Sequence, residues 1–265
     1  MKNEWRGKWA VVTGASAGIG KALATQLAAG GANLVLTARR LERLEQLGKA
    51  LREQHTIRAE VCQADLAFPA APQKIFDFCK GRGIAADILI NNAGFGAYGE
   101  VRGVDLARLL DMVHVNCSAV VALTKLFLPA MVDRRQGYIL ILASTAAFQA
   151  IPYTATYAAT KGFDLLFAEG LAEEVRPYGV RVCCLCPGPT ESEFREVAGQ
   201  PGRMWRWQET SEKVARVGLQ GLAAGKSCVI SGFANNFGVV AQRLAPRKFV
   251  TRAAARLFRP KNPRR

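Results

Sequence analysis

The chain has 265 residues, half of them apolar, and a formal net charge of +15. This length and composition suit a single α/β domain with one sizeable core. The most apolar stretch, residues 119–132, is interrupted by Lys125 and Pro129, so we expect no membrane-spanning helix. The N-terminus carries Lys2, Glu4, Arg6 and Lys8 without a following apolar segment, which argues against a signal peptide. The scattered cysteines favour a cytoplasmic protein.

Apolar runs alternate with amphipathic runs along the chain. Strands are predicted at 9–13, 33–38, 57–63, 87–91, 137–143, 180–186 and 228–231. Helices are predicted at 18–29, 41–54, 72–80, 104–134, 154–176 and 211–224. Strict alternation with uniformly apolar strands indicates one doubly wound parallel sheet, a Rossmann-type α/β fold. We expect this domain to cover residues 1–232 and to continue into a helical, basic extension, residues 233–265.

A glycine-rich run, residues 13–20 (TGASAGIG), follows the first strand and opens the first helix. Glycine allows the backbone to approach a pyrophosphate, and the unpaired N–H groups of the helix start attract its charge. The run therefore predicts a dinucleotide site. The candidate cofactor-binding residues in it are Gly14, Ser16, Gly18, Ile19 and Gly20.

The same run also reads G-x-S-x-G, the pattern of a serine hydrolase with Ser16 as nucleophile. That fold places several strands before the serine and a basic histidine after it. Here one strand precedes Ser16. The two histidines are His55 and His114, so the residues after His114 would contribute nothing to catalysis. The hydrolase is kept as an alternative function.

Candidate catalytic residues follow later strands. Strand four ends in Asn-Asn-Ala-Gly, residues 91–94, and strand five ends at Ser144. Tyr157 and Lys161 lie one helical turn apart, so their side chains share a helix face at about 5–6 Å between Cβ atoms. The carboxyl ends of parallel strands are where such folds bind their ligands.

Taken in order, these motifs resemble those of the short-chain dehydrogenase/reductase family, over residues 7 to 232. The matching motifs are TGASAGIG, Asn-Asn-Ala-Gly at 91–94, Asn116, Ser144, Tyr157-x-x-x-Lys161 and the Pro-Gly turn at 187–188. The details of the match are similar to NADP-preferring bacterial-type reductases that act on acyl thioesters or hydroxysteroids.

The resemblance implies a role for each catalytic residue. Tyr157 would be the general acid/base, made more acidic by the Lys161 ammonium, and Ser144 would donate a hydrogen bond to the reacting oxygen. Lys161 would also hold the nicotinamide ribose, and Asn116 would hold a water that connects Lys161 to solvent. The further cofactor contacts implied are Asp65, Leu66, Asn92, Ala93, Gly94, Tyr157, Lys161, Pro187, Gly188 and Thr190.

The end of the second strand favours NADP(H) over NAD(H). Ala38 stands where a carboxylate would bind the ribose 2′-hydroxyl, and Arg39 and Arg40 follow it, as suits a 2′-phosphate. We therefore expect an NADP-dependent oxidoreductase acting on a carbonyl or alcohol, with a non-catalytic NADP-binding protein as an alternative. No metal is expected.

The substrate should be a small apolar ketone, aldehyde or secondary alcohol. Apolar side chains dominate the segments expected around the active site, which include a candidate lid at residues 187–210. The pocket is predicted from residues 94–96, 146–153 and 187–190, with Phe194, Met204, Trp205 and Trp207 from the lid.

The C-terminal segment carries much of the charge. Residues 243–265 contain nine basic and no acidic side chains, with apolar residues between them. This pattern suits peripheral contact with an anionic membrane, a subunit contact in a homodimer or homotetramer, or a solvated end. Nucleic acid is not expected as the partner, because aromatic residues do not alternate with the basic ones.

The seven cysteines form an odd-numbered, scattered set, which favours a reducing compartment. Cys183 and Cys186 form a C-x-x-C motif inside a predicted strand. We expect both to pack as small apolar side chains.

Overall fold

The computed structural model describes residues 4–200 and 208–260. In this part of the chain, seven parallel strands form one sheet with the order β3-β2-β1-β4-β5-β6-β7. The strands are β1 Trp9–Thr13, β2 Asn33–Ala38, β3 Ala59–Gln63, β4 Ala86–Asn91, β5 Gly137–Leu142, β6 Val180–Cys186 and β7 Cys228–Ile230. The doubly wound parallel sheet predicted from the sequence is therefore confirmed.

Helices cover both faces of the sheet. They are α1 Gly18–Ala29, α2 Leu41–Gln54, α3 Ala71–Gly81, α4 Leu106–Val113, α5 Ala119–Asp133, α6 Ala155–Val175, α7 Phe194–Ala198, α8 Ser211–Ala223, α9 Phe233–Gln242 and α10 Arg247–Phe258. One core lies between the sheet and α1, α2 and α8, and a second lies between the sheet and α3, α5 and α6. The central strands are buried on both faces, which explains why their sequences lack polar alternation.

The long helix predicted at 104–134 is not one regular helix. A π-helical turn, His114–Ser118, separates α4 from α5. Such a turn adds a residue to the helix and often marks a functional site. Here it carries the candidate residue Asn116, which is fully buried.

The helical stretch Leu106–Asp133 has 28 residues and is long and apolar enough to cross a membrane. Length and composition alone therefore do not exclude a membrane-spanning helix, although Lys125 and Pro129 interrupt the apolar stretch. Its apolar character has another cause in this fold, because Leu123 and Phe127 are buried in the core beside α3. We describe it as a core helix.

The C-x-x-C motif does not bring its cysteines together. Cys183 belongs to the core under α1 and α8, whereas Cys184 and Cys186 belong to the core on the other face of the sheet. The Cys186 sulfur lies 3.7 Å from that of Cys184 and 3.9 Å from that of Cys228. All seven cysteines are free thiols. Within residues 4–200 and 208–260, no cluster of His, Cys, Asp or Glu could hold a metal ion.

One side chain ties together the strand ends that carry the site. The Thr13 hydroxyl, at the end of β1, accepts hydrogen bonds from the backbone N–H groups of Asn92 (2.9 Å) and Ala93 (3.0 Å). It donates to the Ile90 carbonyl at 3.0 Å. Thr13 thus fixes the end of β1 against the segment that follows β4, where two of the predicted motifs meet.

Candidate active site

A large cavity, of about 1420 Å³, opens at the carboxyl ends of the strands. It brings together the glycine-rich turn, the end of β2, the segments after β3, β4, β5 and β6, and the first turns of α6. Every residue proposed from the sequence as catalytic or cofactor-binding lines it, except Asn116. Asn116 lies directly behind the cavity wall, hydrogen-bonded to Phe95.

Two glycines of the glycine-rich turn, Gly14 and Gly20, lie too close to neighbouring atoms for a side chain at either position. Gly14 has a φ of +65°, and a Cβ there would lie 2.8 Å from Asn92 Nδ2 and 3.0 Å from Ala93 Cα. A Cβ on Gly20 would collide with the Gly14 carbonyl and the Asn92 amide. Residue Ala17 caps α1 without a side-chain hydrogen bond, so the first N–H groups of the helix remain available to an anionic ligand.

Basic side chains border this turn at the end of β2. Arg40 donates to Ser16 Oγ at 3.1 Å and forms an ion pair with Glu193 at 2.6 Å. Arg43 binds the other oxygen of Glu193 at 2.5 Å. Hydrogen bonds from Arg43 and Arg40 hold the pKa of Glu193 below its usual value. Arg39 is exposed at the cavity edge.

The surroundings of Ser16 do not suit a hydrolase nucleophile. A nucleophilic serine needs a general base within hydrogen-bond reach. The partner of Ser16 Oγ is the Arg40 guanidinium, which stays protonated and cannot accept a proton. The geometry therefore favours a ligand-binding role for Ser16 over the hydrolase alternative.

Asp65 and Leu66, which follow β3, lie at the far end of the cavity. The Asp65 carboxylate accepts a hydrogen bond from the Ala67 N–H at 3.0 Å, which fixes the loop locally. Leu66 is buried. Their position beside the end of β2 agrees with a contact to the far half of a dinucleotide.

Tyr157 and Ser144 meet in the middle of the cavity. Ser144 follows β5, where its Oγ accepts from the Ala146 N–H at 3.1 Å. The Tyr157 hydroxyl lies beside it. Burial raises the pKa of Tyr157, whereas the Lys161 charge and the neighbouring Ser144 hydroxyl oppose that rise. The Phe194 ring, 5.1 Å from that of Tyr157, covers the site from α7.

Lys161 is held behind Tyr157 by two hydrogen bonds. Its Nζ donates to the Leu142 carbonyl of β5 at 2.7 Å and to Asp164 Oδ2 at 2.9 Å. Nζ lies 5.9 Å from the centre of the Tyr157 ring. The ammonium is therefore next to the phenol, fixed between α6 and the sheet.

Asn116 connects three elements. Its Nδ2 donates to the Phe95 carbonyl and to Thr160 Oγ1, each at 3.0 Å, and its Oδ1 accepts from the Phe95 N–H at 3.1 Å. Thr160 Oγ1 in turn donates to the Tyr157 carbonyl at 2.8 Å. Asn116 thus joins the segment after β4 to the turn of α6 that bears Tyr157 and Lys161.

The segment after β6 forms one side of the cavity. The Pro187 carbonyl accepts from the Thr145 N–H at 2.9 Å, and Thr190 Oγ1 donates to the Gly188 carbonyl at 3.0 Å. A Cβ on Gly188 would collide with Asn235 of α9. Of the predicted lid residues, Phe194 lines the cavity, whereas Met204, Trp205 and Trp207 lie outside the described residues.

The C-terminal helices α9 and α10 also line the cavity, which was not predicted from the sequence. Most of their lining residues are apolar, among them Val239, Val250, Ala253, Ala254, Leu257 and Phe258, and α9 adds the polar side chains of Asn235 and Gln242. The Tyr98 hydroxyl donates to the Phe258 carbonyl at 2.8 Å and fixes the end of α10 over the opening. The spacing of residues 250, 254, 257 and 258 is typical of one face of a helix and could have indicated this role.

Three further site residues were missed: Thr13, Thr160 and Asp164. The Thr13 hydroxyl contacts the backbone of Asn92 and Ala93, and Thr160 Oγ1 contacts the Asn116 side chain, so both depend on residues distant in sequence and no local pattern indicates them. Asp164 had a signal, because it is a carboxylate three residues after Lys161 on an otherwise apolar buried face of α6.

Comparison with known proteins agrees with this geometry. A very-long-chain 3-oxoacyl-CoA reductase from Pyrenophora tritici-repentis is 36% identical over 186 residues, which are 68% of this chain and 54% of that protein. A short-chain dehydrogenase from Sphingobium yanoikuyae, solved in complex with NADPH, is 27% identical with a TM-score of 0.82 and covers 89% of this chain and 93% of its own. A bulky-bulky ketone specific alcohol dehydrogenase from Comamonas testosteroni is 26% identical, with a TM-score of 0.77 and coverages of 89% and 92%.

The chain spans little more than half the length of the curated reductase it matches. The family described as short chain dehydrogenase matches residues 8–201, which include the glycine-rich turn, Asn116, Ser144, Tyr157 and Lys161. The chain therefore belongs to the short-chain dehydrogenase family.

Proposed function

We propose that this protein is an NADP(H)-dependent oxidoreductase that interconverts an apolar ketone or aldehyde and its alcohol. The observation that carries the proposal is the placement of Tyr157, Ser144 and Lys161 in one cavity with the glycine-rich turn. A phenol next to a serine hydroxyl and a fixed ammonium is suited to proton exchange with a carbonyl oxygen. The NADPH-bound relative supports the same cofactor.

The residues present fit such a cofactor. The glycine-rich turn and the uncapped start of α1 would hold its pyrophosphate, and Arg39 and Arg40 would face a 2′-phosphate. Asp65 and Leu66 would lie at its adenine end. Asn92, Ala93, Gly94, Pro187, Gly188 and Thr190 line the part of the cavity that leads to Tyr157, where the nicotinamide would lie.

When bound, the nicotinamide supplies or accepts the hydride, and the protein handles the proton. In the reducing direction, the Tyr157 hydroxyl donates its proton to the carbonyl oxygen. Ser144 donates a hydrogen bond to the same oxygen and so stabilises its developing negative charge. The Lys161 ammonium stabilises the Tyr157 phenolate that remains. Asn116 keeps Tyr157 and Lys161 in register with the segment after β4.

We expect Tyr157→Phe to abolish turnover while NADPH still binds. The change removes the acid/base hydroxyl and little packing, and acid–base catalysis is typically worth about 10²- to 10⁴-fold in rate. Turnover is measured by NADPH oxidation, and binding by fluorescence titration. The matched control is Tyr178→Phe on the exposed surface. A variant that keeps more than about a tenth of wild-type kcat, with chemistry rate-limiting, contradicts the role of Tyr157.

The cofactor preference is tested by single substitutions of the arginines. Arg39→Ser and Arg40→Ser should each weaken NADPH binding more than NADH binding. A hydrogen bond to a charged group contributes about 1.5–3 kcal/mol, which corresponds to about tenfold or more in Kd. Arg43→Ser is the control, because Arg43 lies in the first turn of α2, directly after the tested arginines, and binds Glu193 without lining the cavity. Unchanged ratios in both test variants would show that these arginines do not bind the phosphate.

For the substrate, we propose a long-chain or bulky carbonyl compound such as a 3-oxoacyl thioester. Apolar side chains from α7, α9 and α10 surround the part of the cavity beyond Tyr157. The two relatives named for very-long-chain 3-oxoacyl-CoA and for bulky ketones support this class.

A homologous series of 3-oxoacyl thioesters tests the substrate class. Each buried methylene contributes about 0.8 kcal/mol, so kcat/KM should rise about fourfold per added carbon until the cavity is full. The measurement is NADPH oxidation with chains of increasing length, and reducing sugars serve as the polar comparison. A flat series, or faster turnover of the sugars, would contradict an apolar substrate.

We further propose that α9 and α10 bind an anionic membrane surface. In α9 and the turn that follows it, Phe233 and Leu244 are 89% and 88% exposed, and Phe237 and Val240 lie between them at helical spacing. Six exposed basic residues accompany them in the described part: Arg243, Arg247, Lys248, Arg252, Arg256 and Arg259. An apolar stripe next to basic side chains suits the interface of an anionic bilayer.

The opening of the cavity lies in the same surface. Phe249 and Leu257 of α10 line the cavity and are also exposed, so they form part of its rim. An apolar substrate could therefore enter directly from the lipid. We propose that residues 1–232 and 233–265 form one domain of a cytoplasmic protein. The C-terminal extension provides one wall of the cavity and also the surface that contacts the membrane.

Liposome sedimentation tests this contact. Vesicles that contain anionic lipid should bind the protein at low salt and release much of it at high salt, because each basic residue contributes about 1 kcal/mol near the surface. Phe237→Ser with Leu244→Ser should reduce binding, since neither residue lines the cavity. The control exchanges two exposed leucines elsewhere, Leu106→Ser with Leu166→Ser.

If the wild type ignores the vesicles, or the control pair loses binding equally, the membrane proposal is wrong. Should the Phe237/Leu244 variant instead change only the sedimentation coefficient, the surface is a contact in a homodimer or homotetramer.

A further inference from the structure

The Asp164 carboxylate lies behind Tyr157 and Lys161, the proposed acid/base pair. It is buried, and burial disfavours a negative charge. Asp164 is 0% exposed and lies three residues after Lys161 on α6. Its neighbours on the buried side of this helix, Leu165, Ala168 and Leu171, are apolar. Removing a carboxylate from water is unfavourable, and only a well-placed partner offsets this. The partner here is the Lys161 ammonium at 2.9 Å.

The two oxygens of Asp164 differ. Oδ2 accepts the Lys161 hydrogen bond, but Oδ1 is buried and has no hydrogen-bond partner among the described residues. Buried polar atoms are nearly always paired, and an unpaired one disfavours folding. A side chain that only filled space in the core would not need to be a carboxylate. The negative charge of Asp164 therefore requires another explanation.

The charge acts on an ammonium that is otherwise poorly solvated. Lys161 is 4% exposed, and its hydrogen bonds in the protein go to the Leu142 carbonyl and to Asp164. An ammonium has three N–H donors, so these two acceptors leave one for the cavity that Lys161 lines. Asp164 thereby fixes the lysine at the wall of the site and leaves it able to act beside Tyr157.

We propose that Asp164 is a positioning residue, the buried counter-ion that keeps Lys161 charged and fixed between β5 and α6 beside Tyr157. This role rests on the proposed function, in which Tyr157 and Lys161 exchange the proton. The motif Tyr157-x-x-x-Lys161 does not include Asp164, so the carboxylate is an addition to the residues that the family resemblance implies.

The other ionisable groups around the pair do not replace this charge. Cys117 faces it from the π-helical turn, and burial raises the pKa of that thiol to about 11. Cys186 faces it from β6, and its pKa is also raised. Both thiols are neutral near pH 7. Asp164 is therefore the anion of this group of described residues.

The effect of this anion has a definite sign. Burial lowers the pKa of Lys161, but Asp164 and Tyr157 together raise it above its ordinary value. Burial raises the pKa of Tyr157, and Asp164 adds to that rise. Removing the negative charge must lower the proton affinity of both groups. The first proton then leaves the Tyr157–Lys161 pair at lower pH, whichever group releases it.

The test is Asp164→Asn, which keeps the shape and removes the charge. In the reducing direction, activity falls at alkaline pH when the pair loses its first proton. We expect this fall to move to lower pH by about one unit or more, as is typical for a charge within about 4–6 Å. Glu174→Gln, an exposed carboxylate on the same helix, is the control and should not move the profile. An unchanged or oppositely shifted profile overturns the proposal.

A second readout needs no turnover. Carbon-13 NMR of labelled tyrosine and lysine, with Tyr157→Phe and Lys161→Met for assignment, reports when the pair loses its first proton in the cofactor-free protein. A lower pH of loss in Asp164→Asn supports the counter-ion role even if no substrate is turned over. If this titration is unchanged while the wild type is active, the counter-ion role fails and the proposed function stands.

A stability measurement covers the case in which Asp164→Asn does not fold. Lys161→Met leaves the Asp164 carboxylate buried without its ammonium and should lower Tm. Adding Asp164→Asn to Lys161→Met should then restore part of the lost Tm, because the unpaired charge is removed. A double variant that is no more stable than Lys161→Met would show that the two side chains are not coupled, which overturns the proposal.

Discussion

The parallel direction of all seven strands is the constraint on which the site depends. Because every strand of the sheet runs the same way, all carboxyl ends lie at one edge, and the chain must leave each of them through a loop. The Thr13 hydroxyl joins the ends of β1 and β4 at the centre of this edge. Residues from six loops therefore meet in one cavity although they are distant in sequence.

Helix α6 converts this edge into a chemical site. It has 21 residues, packs along its length on the sheet, and presents Tyr157, Lys161 and Asp164 from its first three turns. Two side-chain contacts hold those turns: Asn116 with Thr160, and Lys161 with the Leu142 carbonyl of β5. The positions of the proposed acid/base groups are consequently set by the same packing that stabilises the core.

Sequence reasoning predicted the fold, and it named most of the residues of the candidate site that the fold brings together in the cavity, for a physical reason. Apolar strands, amphipathic helices and the turn at Gly14 and Gly20 are local patterns, and family motifs add the spacing of Ser144, Tyr157 and Lys161. The π-helical turn at Asn116 could not be predicted, because one extra residue in an apolar helix leaves no signal in composition. Thr13 and Thr160 act through contacts between distant segments, so nothing beside them in the sequence indicates their role.

The C-terminal helices show how a property read from composition can have two causes. Apolar residues among arginines were compatible with an interfacial segment, a subunit contact or a solvated end, and Phe233 and Leu244 are exposed. The same helices bury Val239 and Ala254 at the cavity wall, which composition could not distinguish from the exposed stripe. A helix that contacts the cavity on one side and a membrane on the other would connect the two environments. The substrate would then pass from lipid to Tyr157 along apolar side chains, without crossing water.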